Sequence, residues 1–214
     1  KRFTKGLPGR GDVCEGVESV RNDTKMDTQL TEARIIKRLH NYYATNSRYR
    51  LSNVYVYDWE SDFFLLKASG YAYEFEIKIS RSDYIADKKK VEKHAILQTG
   101  EYKHQRTKWE YDEKTSKSKR IDFVDILAKS RPNRFFYVVP ENLISIEEIP
   151  DYAGLIYVNG WKIETVKPAP VLHKEKKDLT AVLCDKFYYK MLGVQDQLRR
   201  AQKEIDYLKK RAAK

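Results

Sequence analysis

The spacing of apolar residues changes along the chain and predicts the order of its first elements. Between residues 30 and 43, apolar side chains recur every three or four positions, at Leu30, Ala33, Ile36 and Leu39, which predicts a helix. From residue 54 the period becomes two, with a short apolar run over 63–66 and a turn at Gly70. This pattern predicts three strands, the last of which has one apolar and one charged face.

The second half of the chain predicts a return to helix and then further strands. Residues 82–98 are expected to form a helix, and residues 99–133 are polar, with an exposed loop over 114–120 and a helix over 121–129. Apolar runs over 135–139 and 155–158 predict strands, and a turn at Asn159 and Gly160 leads into a partner strand over 161–165. The fold class is therefore α/β with a mixed sheet.

The chain divides into three parts. Residues 1–25 contain several glycines among charges and are expected to form an N-terminal arm, followed by a domain over 26–172. The C-terminal segment, 173–214, carries apolar residues spaced alternately by three and four, as in a coiled coil. They are Cys184, Phe187, Met191, Val194, Leu198, Ala201, Ile205, Leu208 and Ala212. Such a helix either associates with itself or a partner protein, or packs back on its own domain.

The net charge of +11 is concentrated in two segments. Residues 88–134 contain 14 Lys and Arg against 7 Asp and Glu, and residues 171–214 contain 12 against 6. This asymmetry favours a polyanionic partner, although a merely solvated basic surface would give the same count. No apolar run approaches the roughly 20 residues that cross a bilayer, so no membrane partner is expected. Two distant cysteines exclude a cysteine-based zinc site.

Candidate chemistry lies on the predicted hairpin. Glu76 and Lys78 are two residues apart on one strand, so their side chains share a face, and Asp62 precedes the neighbouring strand. Two carboxylates and the backbone carbonyl of Ile77 would give an oxygen site for Mg²⁺ or Mn²⁺. A lysine beside them would activate water or stabilise negative charge. The spacing alone is also compatible with a solvated strand face.

The residues around this trio resemble the core motif of the MmcB-like proteins, a DNA-repair branch of the PD-(D/E)xK nuclease superfamily. In that family an Asp is followed eight residues later by a Gly, then by Glu-x-Lys, a Ser, an Asp and a second Asp before a Lys. The matching residues here are Asp62, Gly70, Glu76, Lys78, Ser80, Asp83, Asp87 and Lys88. The resemblance covers roughly residues 30–172, with a basic insertion at about 88–134.

This resemblance implies a restriction-endonuclease-like αβββαβ core and a Mg²⁺- or Mn²⁺-dependent nuclease that hydrolyses DNA. Asp62, Glu76 and Lys78 would be catalytic, with Asp62, Glu76 and the Ile77 carbonyl on the metal. Glu32 resembles a helix carboxylate that some superfamily members add to the metal, or is a surface residue. Ser80 and Asp83 are expected to fix the turn into the next helix. A cytoplasmic protein of a bacterium or a phage-infected cell is expected.

Two other functions fit the same sequence. The chain would be a catalytically silent nucleic-acid-binding protein if its lysines only bind phosphates on a nuclease-like scaffold. The residues expected to bind DNA in either case are Lys88, Lys89, Lys90, Lys93, Lys117, Lys119 and Arg120. Alternatively, the C-terminal helix would make it an assembly protein.

Overall fold

Six strands form one mixed sheet, and two further strands form a separate ribbon. The computed structural model describes residues 30–112, 114 and 116–212, so the expected N-terminal arm lies outside the described residues. The helices are α1 (Glu32–Tyr42), α2 (Arg81–Asp87), α3 (Val91–Thr99) and α4 (Thr180–Ala212), with a short 3-10 helix at Ile146–Glu148. The strands are β1 (Tyr49–Tyr55), β2 (Glu60–Leu66), β3 (Ala72–Ile77), β4 (Glu101–Asp112), β5 (Lys117–Ala128), β6 (Arg134–Pro140), β7 (Ala153–Asn159) and β8 (Lys162–Lys167).

The main sheet has the strand order β1-β2-β3-β6-β7-β8. The first three strands are antiparallel neighbours, β6 and β7 continue the sheet in parallel with β3, and β8 closes it antiparallel to β7. The prediction of an α/β fold with a mixed sheet and a long C-terminal helix is therefore confirmed. Among the described residues, no helix combines the length and apolar character needed to cross a membrane.

Both faces of the central strands are buried. On one face, Ile35 and Leu39 of α1 pack against Phe63 of β2 and Phe75 of β3. On the other face, Leu97 of α3 joins a cluster with residues of β6 and β7. The 3.6-residue period of α1 thus packs one stripe onto the sheet, and the hydroxyl of Thr31 caps its first turn by accepting from the Arg34 amide at 3.4 Å.

The segment after β3 differs from the predicted single helix over 82–98. It forms two helices, α2 and α3, that are separated by Lys88, Lys89 and Lys90. Ser80 caps α2, since its hydroxyl accepts from the Asp83 amide at 3.2 Å, so both residues take part in the turn into this helix. The break matters for function because α3 changes direction and brings its first turn back to β3.

The polar segment over 99–133 also differs from prediction. The helix predicted over 121–129 is wrong: these residues belong mostly to β5, which pairs with β4 from Glu101 opposite Ala128 to Asp112 opposite Lys117. The predicted loop over 114–120 is shorter, because β5 begins at Lys117. The basic insertion is thus a long antiparallel hairpin, called here the ribbon (residues 101–128).

Candidate active site

The β2–β3 hairpin brings the three predicted catalytic residues together. The register sets Phe63 opposite Phe75, which places Asp62 across from Glu76 at the end of the hairpin. A carboxylate oxygen of Asp62 accepts a 2.7 Å hydrogen bond from the Ile77 amide. The ammonium group of Lys78 lies 2.7 Å from Oε1 of Glu76. Asp62, Glu76 and Lys78 therefore form one cluster.

Two buried carboxylates in this cluster are surrounded by three lysines. Glu76 is 2% exposed, and its Oε2 accepts a 2.6 Å hydrogen bond from Lys93 of α3. Asp87, at the end of α2, lies 2.9 Å from Lys90, 3.5 Å from Lys93 and 3.8 Å from Lys78. Lys90 also approaches Glu76 at 3.6 Å. Each carboxylate is thus held by more than one ammonium group.

The surroundings change the proton affinity of the acids in opposite directions. Burial raises the pKa of Asp62 to about 6, and the nearby charge of Glu76 acts in the same direction. Burial would also raise the pKa of Asp87, but the ammonium groups of Lys93 and Lys78 hold it well below its usual range. Tyr137 further anchors Asp87 by donating its hydroxyl proton over 2.9 Å. Asp87 is consequently a fixed anion, whereas Asp62 is poised to gain or lose a proton.

An open cavity of about 340 Å³ lies over this cluster. Asp62, Ile77 and Lys78 line it from the hairpin, and Asp83 and Asp87 line it from α2. The wall is completed by Glu32 of α1 together with Ile79, Ala86 and Lys90. The charge of Glu32 adds to the factors that raise the pKa of Asp62, so these two carboxylates are close enough to repel each other.

Gly70 has a structural place in this arrangement. Its backbone has a φ of +85°, in the left-handed region that glycine adopts readily, within the turn between β2 and β3. The same turn sets the register that places Asp62 opposite Glu76. The predicted supporting residues Gly70, Ser80, Asp83 and Asp87 therefore occupy the hairpin turn, the cap of α2 and the cavity wall.

The residues expected to bind DNA fall into two groups. Lys90 and Lys93 lie inside the cluster, and Lys93 is only 4% exposed, so their ammonium groups face carboxylates. Lys89 is exposed, and Lys88 donates to the backbone oxygen of Glu148 at 3.2 Å. Lys117, Lys119 and Arg120 stand on β5 near the ribbon tip, all exposed. The structure does not bring these two groups together into one patch.

The donor set at the cavity fits a hard divalent cation in its chemistry. Asp62 and Glu76 offer carboxylate oxygens that repel each other, and Ile77, whose carbonyl was assigned to the metal, lines the same cavity. Across residues 30–112, 114 and 116–212, however, no group of three acidic, His or Cys side chains is arranged to hold a metal ion. Both carboxylate oxygens of Glu76 are bound by lysines. A cation would have to displace an ammonium group.

Glu74 is a functional candidate that the sequence pattern did not select. It lies on the same strand face as Glu76, is fully buried, and accepts a 2.6 Å hydrogen bond from the indole of Trp59. Its other oxygen and the hydroxyl of Ser61 are buried without a hydrogen-bond partner among the described residues. Burial raises the pKa of Glu74 to about 7. The alternation of Glu74, Glu76 and Lys78 on one face was the signal in the sequence.

Comparison with known proteins supports a shared fold. The SPO1766 protein of unknown function from Silicibacter pomeroyi superposes on this chain with a TM-score of 0.50 and 18% sequence identity. The superposition covers 80% of this chain and 93% of that chain. No family model and no curated protein matches the sequence. The likeness at this identity concerns the fold alone.

Proposed function

We propose that this chain is a metal-dependent nuclease that hydrolyses phosphodiester bonds in DNA. The observation that carries the proposal is the clustering of Asp62, Glu76 and Lys78, with Asp62 and Lys78 lining one open cavity and Glu76 buried beside them. The order α1, β1, β2, β3, α2 and α3, β6, with β3 parallel to β6, is compatible with a restriction-endonuclease-like core. The resemblance of residues 62–88 to the MmcB-like motif points in the same direction.

The residues of the cavity divide the work between binding and charge stabilisation. Asp62 and Glu76, with the carbonyl of Ile77 and with Glu32 as a further carboxylate, would hold Mg²⁺ or Mn²⁺. Such a cation supplies Lewis-acid chemistry that offsets the charge of the phosphate. Lys78 lies at the cavity wall, where its ammonium group can stabilise the negative charge that grows on the phosphate oxygens. Glu76 orients Lys78 through their 2.7 Å contact.

Lys93 and Asp87 set the position of the catalytic groups from behind. Lys93 of α3 binds the Glu76 oxygen that Lys78 does not bind. The carboxylate is thus held between one ammonium group from a helix and one from the end of β3. Asp87 holds Lys90 at 2.9 Å, and Lys90 is long and half exposed. Lys90 can therefore move from Glu76 towards a bound phosphate, because Asp87 keeps Lys93 at 3.5 Å and Lys78 at 3.8 Å.

Cleavage assays on purified protein test the proposal. Supercoiled and linear DNA, and RNA of the same sequence, are incubated with Mg²⁺, with Mn²⁺ and with EDTA, and products are separated on gels. Asp62→Asn keeps an acceptor for the Ile77 amide but removes the charge, so cleavage should be abolished while the fold persists. Lys78→Met should lower turnover at least about 100-fold, as expected for a lost electrostatic or acid–base group.

Matched variants show whether these effects belong to the cavity. Glu60→Gln removes an exposed carboxylate from the same strand as Asp62. Lys162→Met breaks an exposed Lys–Glu pair on β8, in which Lys162 contacts Glu164 two residues away as Lys78 contacts Glu76. Both controls should cut like the original protein. A protein in which Asp62→Asn cuts equally well would have its active site elsewhere.

The neutralisation of Glu76 by two lysines favours one second candidate, a nucleic-acid-binding protein without catalysis. In that case the ammonium groups would never release the carboxylates to a cation. Calorimetric titration with Mn²⁺ distinguishes the two functions. Binding that disappears in Asp62→Asn supports the nuclease, whereas DNA binding with neither Mn²⁺ binding nor cleavage supports the silent protein.

A further inference from the structure

Helix α4 extends from the domain with its apolar residues in water. It contains 33 residues, Thr180–Ala212, which gives a length of about 50 Å. Leu183 is buried against β1, but every residue from Cys184 to Ala212 is exposed. Leu198, for example, is 65% exposed. Among the described residues, the first part of α4 therefore packs on its own domain, through Leu183, whereas the rest of the helix is exposed.

The exposed apolar residues form a continuous seam along α4. In heptad notation Cys184, Met191, Leu198, Ile205 and Ala212 occupy the a positions, and Phe187, Val194, Ala201 and Leu208 occupy the d positions. The helix is uninterrupted at Gly193, which stands at a c position outside the seam with open space around it. Contiguous exposed apolar surface of this kind marks an interaction site.

The domain leaves this seam accessible. Leu183 and Lys190 both occupy g positions and both face β1: Leu183 is buried there, and Lys190 donates to the backbone oxygen of Ser52. The a and d positions that follow them point away from the sheet and are exposed. A second helix can thus lie along the seam without displacing α4 from its own domain.

We propose that α4 pairs with α4 of a second copy of this chain as a parallel two-stranded coiled coil. Ile205 at a and Leu208 at d are the combination that favours two strands. In the parallel arrangement Glu204 at g faces Lys209 at e of the other copy, which forms two opposite-charge pairs across the dimer.

An antiparallel pair of these helices has two registers of equal overlap. The residue numbers of facing a and d positions sum to 399 in one and to 392 in the other, and each register pairs eight of the nine seam residues. Lys190 lies beside Arg211 of the other copy in the first register and beside Glu204 of the other copy in the second. Charge therefore disfavours the first antiparallel register alone, and the charge exchange described below distinguishes the parallel dimer from both.

Sedimentation equilibrium of the full chain tests the dimer. The protein should have twice the mass of one chain at micromolar concentrations. The double variant Leu198→Ala, Ile205→Ala removes apolar side chains from the seam, and α4 stays helical because alanine is the best helix-forming residue. The dissociation constant should rise at least about 100-fold. The matched control, Leu192→Ala with Tyr207→Ala, changes exposed residues at b and c positions and should leave the constant within a few-fold. A monomeric original protein at 100-fold higher concentration, or equal losses in both variants, would overturn the proposal.

A charge exchange tests the direction. Glu204→Lys alone and Lys209→Glu alone should each weaken self-association, because like charges meet across the parallel dimer. Mixing these two variants should give a heterodimer tighter than either homodimer, since both pairs regain opposite charges. In the two antiparallel registers position 209 faces Tyr188 or Ala181, so Lys209→Glu would not weaken self-association and the mixed dimer would not be tighter than the Lys209→Glu homodimer. Such a result would refute the parallel assignment.

Discussion

Glu74 illustrates how burial sets the protonation of a single residue. Its side chain is fully buried and accepts a hydrogen bond from the Trp59 indole. Burial raises its pKa from 4.5 to about 7. The folded protein therefore holds this proton more tightly than the unfolded chain does. The contribution to stability is complete below pH 4.5 and decreases as the pH rises towards 7, because the unfolded chain ionises first.

We predict that Glu74→Gln stabilises the protein at pH 8 but not at pH 5. The shift of the Glu74 pKa from 4.5 to about 7 corresponds to on the order of 3 kcal/mol of unfolding free energy lost between these pH values. Glutamine keeps an acceptor for Trp59 and carries no charge, so it avoids this loss. Urea unfolding at both pH values measures the difference, and the exposed Glu60→Gln serves as the control. A gain that is equal at both pH values would contradict the titration of Glu74.

Individual residues of the site were predictable to the extent that they share a local pattern. Asp62, Glu76 and Lys78 follow from the two-residue alternation of a hairpin, which the structure confirms as β2 and β3. The pairing of Glu76 with Lys93 was not predictable. It requires a break at residues 88–90 that turns α3 back to the sheet, and it joins residues 17 positions apart through tertiary packing.

The ribbon is the element on which local pattern and structure disagree most. Ile121, Val124 and Leu127 recur every three residues, which favoured a helix. Twelve residues of β5 instead pair with twelve of β4, and this ladder satisfies their backbone groups. Strand pairing between segments that are up to 27 residues apart leaves no local trace, so the extended conformation could not be inferred from residues 121–129 alone.

The charge of the ribbon is less one-sided than that of the whole insertion. Residues 101–128 contain 7 basic and 6 acidic residues, so most of the excess of residues 88–134 lies outside it. At its distal end, however, Lys117, Lys119 and Arg120 stand together with Trp109 and Tyr111, all exposed. Two-stranded ribbons fit the major groove of DNA, which is about 12 Å wide. The distal end is thus the part of the ribbon suited to contact phosphates.

We predict that replacing Lys117, Lys119 and Arg120 with Ser weakens DNA binding without regard to sequence. Each lost phosphate contact should reduce the log–log salt slope by about 0.9, up to about 2.7 for three contacts. Fluorescence anisotropy at several salt concentrations measures the slope. Replacing Lys37, Lys162 and Lys174, which are exposed elsewhere, removes the same charge and serves as the control. An equal reduction in both variants would indicate a general charge effect and no ribbon contact.

At the scale of the molecule, the six strands of the main sheet were predictable in chain order, but their order within the sheet and the two strands of the ribbon were not. The sequence predicted a helix, three strands, a helix, a strand and a small terminal hairpin. The six predicted strands all lie in the main sheet, in the order β1-β2-β3-β6-β7-β8. Because β3 and β6 are neighbours, Tyr137 lies beside Glu76 in the sheet. The pairing of Tyr137 with Glu76 depends on β6 pairing with β3 after the ribbon, which the sequence did not predict. Gly154 shows how tightly they pack, since a Cβ there would lie 2.6 Å from Phe136 and from the Ala169 amide.

The lysines around Glu76 and Asp87 have a consequence for how the protein is made. A cluster of carboxylates that relied on a cation would fold only where that cation is supplied, but Lys78, Lys90 and Lys93 are encoded in the same chain. We therefore expect the ammonium groups to balance the carboxylate charges in the absence of a cation. We predict that the protein purified in EDTA is folded and unfolds in a cooperative thermal transition, as measured by calorimetry.

Removing one of these lysines should make the stability of the protein depend on a cation. Lys93→Met leaves Glu76 buried beside one fewer ammonium group, at a cost of about 3–5 kcal/mol of unfolding free energy. Saturating Mg²⁺ should restore part of that loss, because a cation that binds only the folded state stabilises it by mass action. Lys89→Met, an exposed neighbour, should show neither effect. A Lys93→Met protein as stable as the original would mean that Glu76 gives up its charge instead. If both predictions hold, the chain folds without a cation, and the proposed metal would bind only the completed fold.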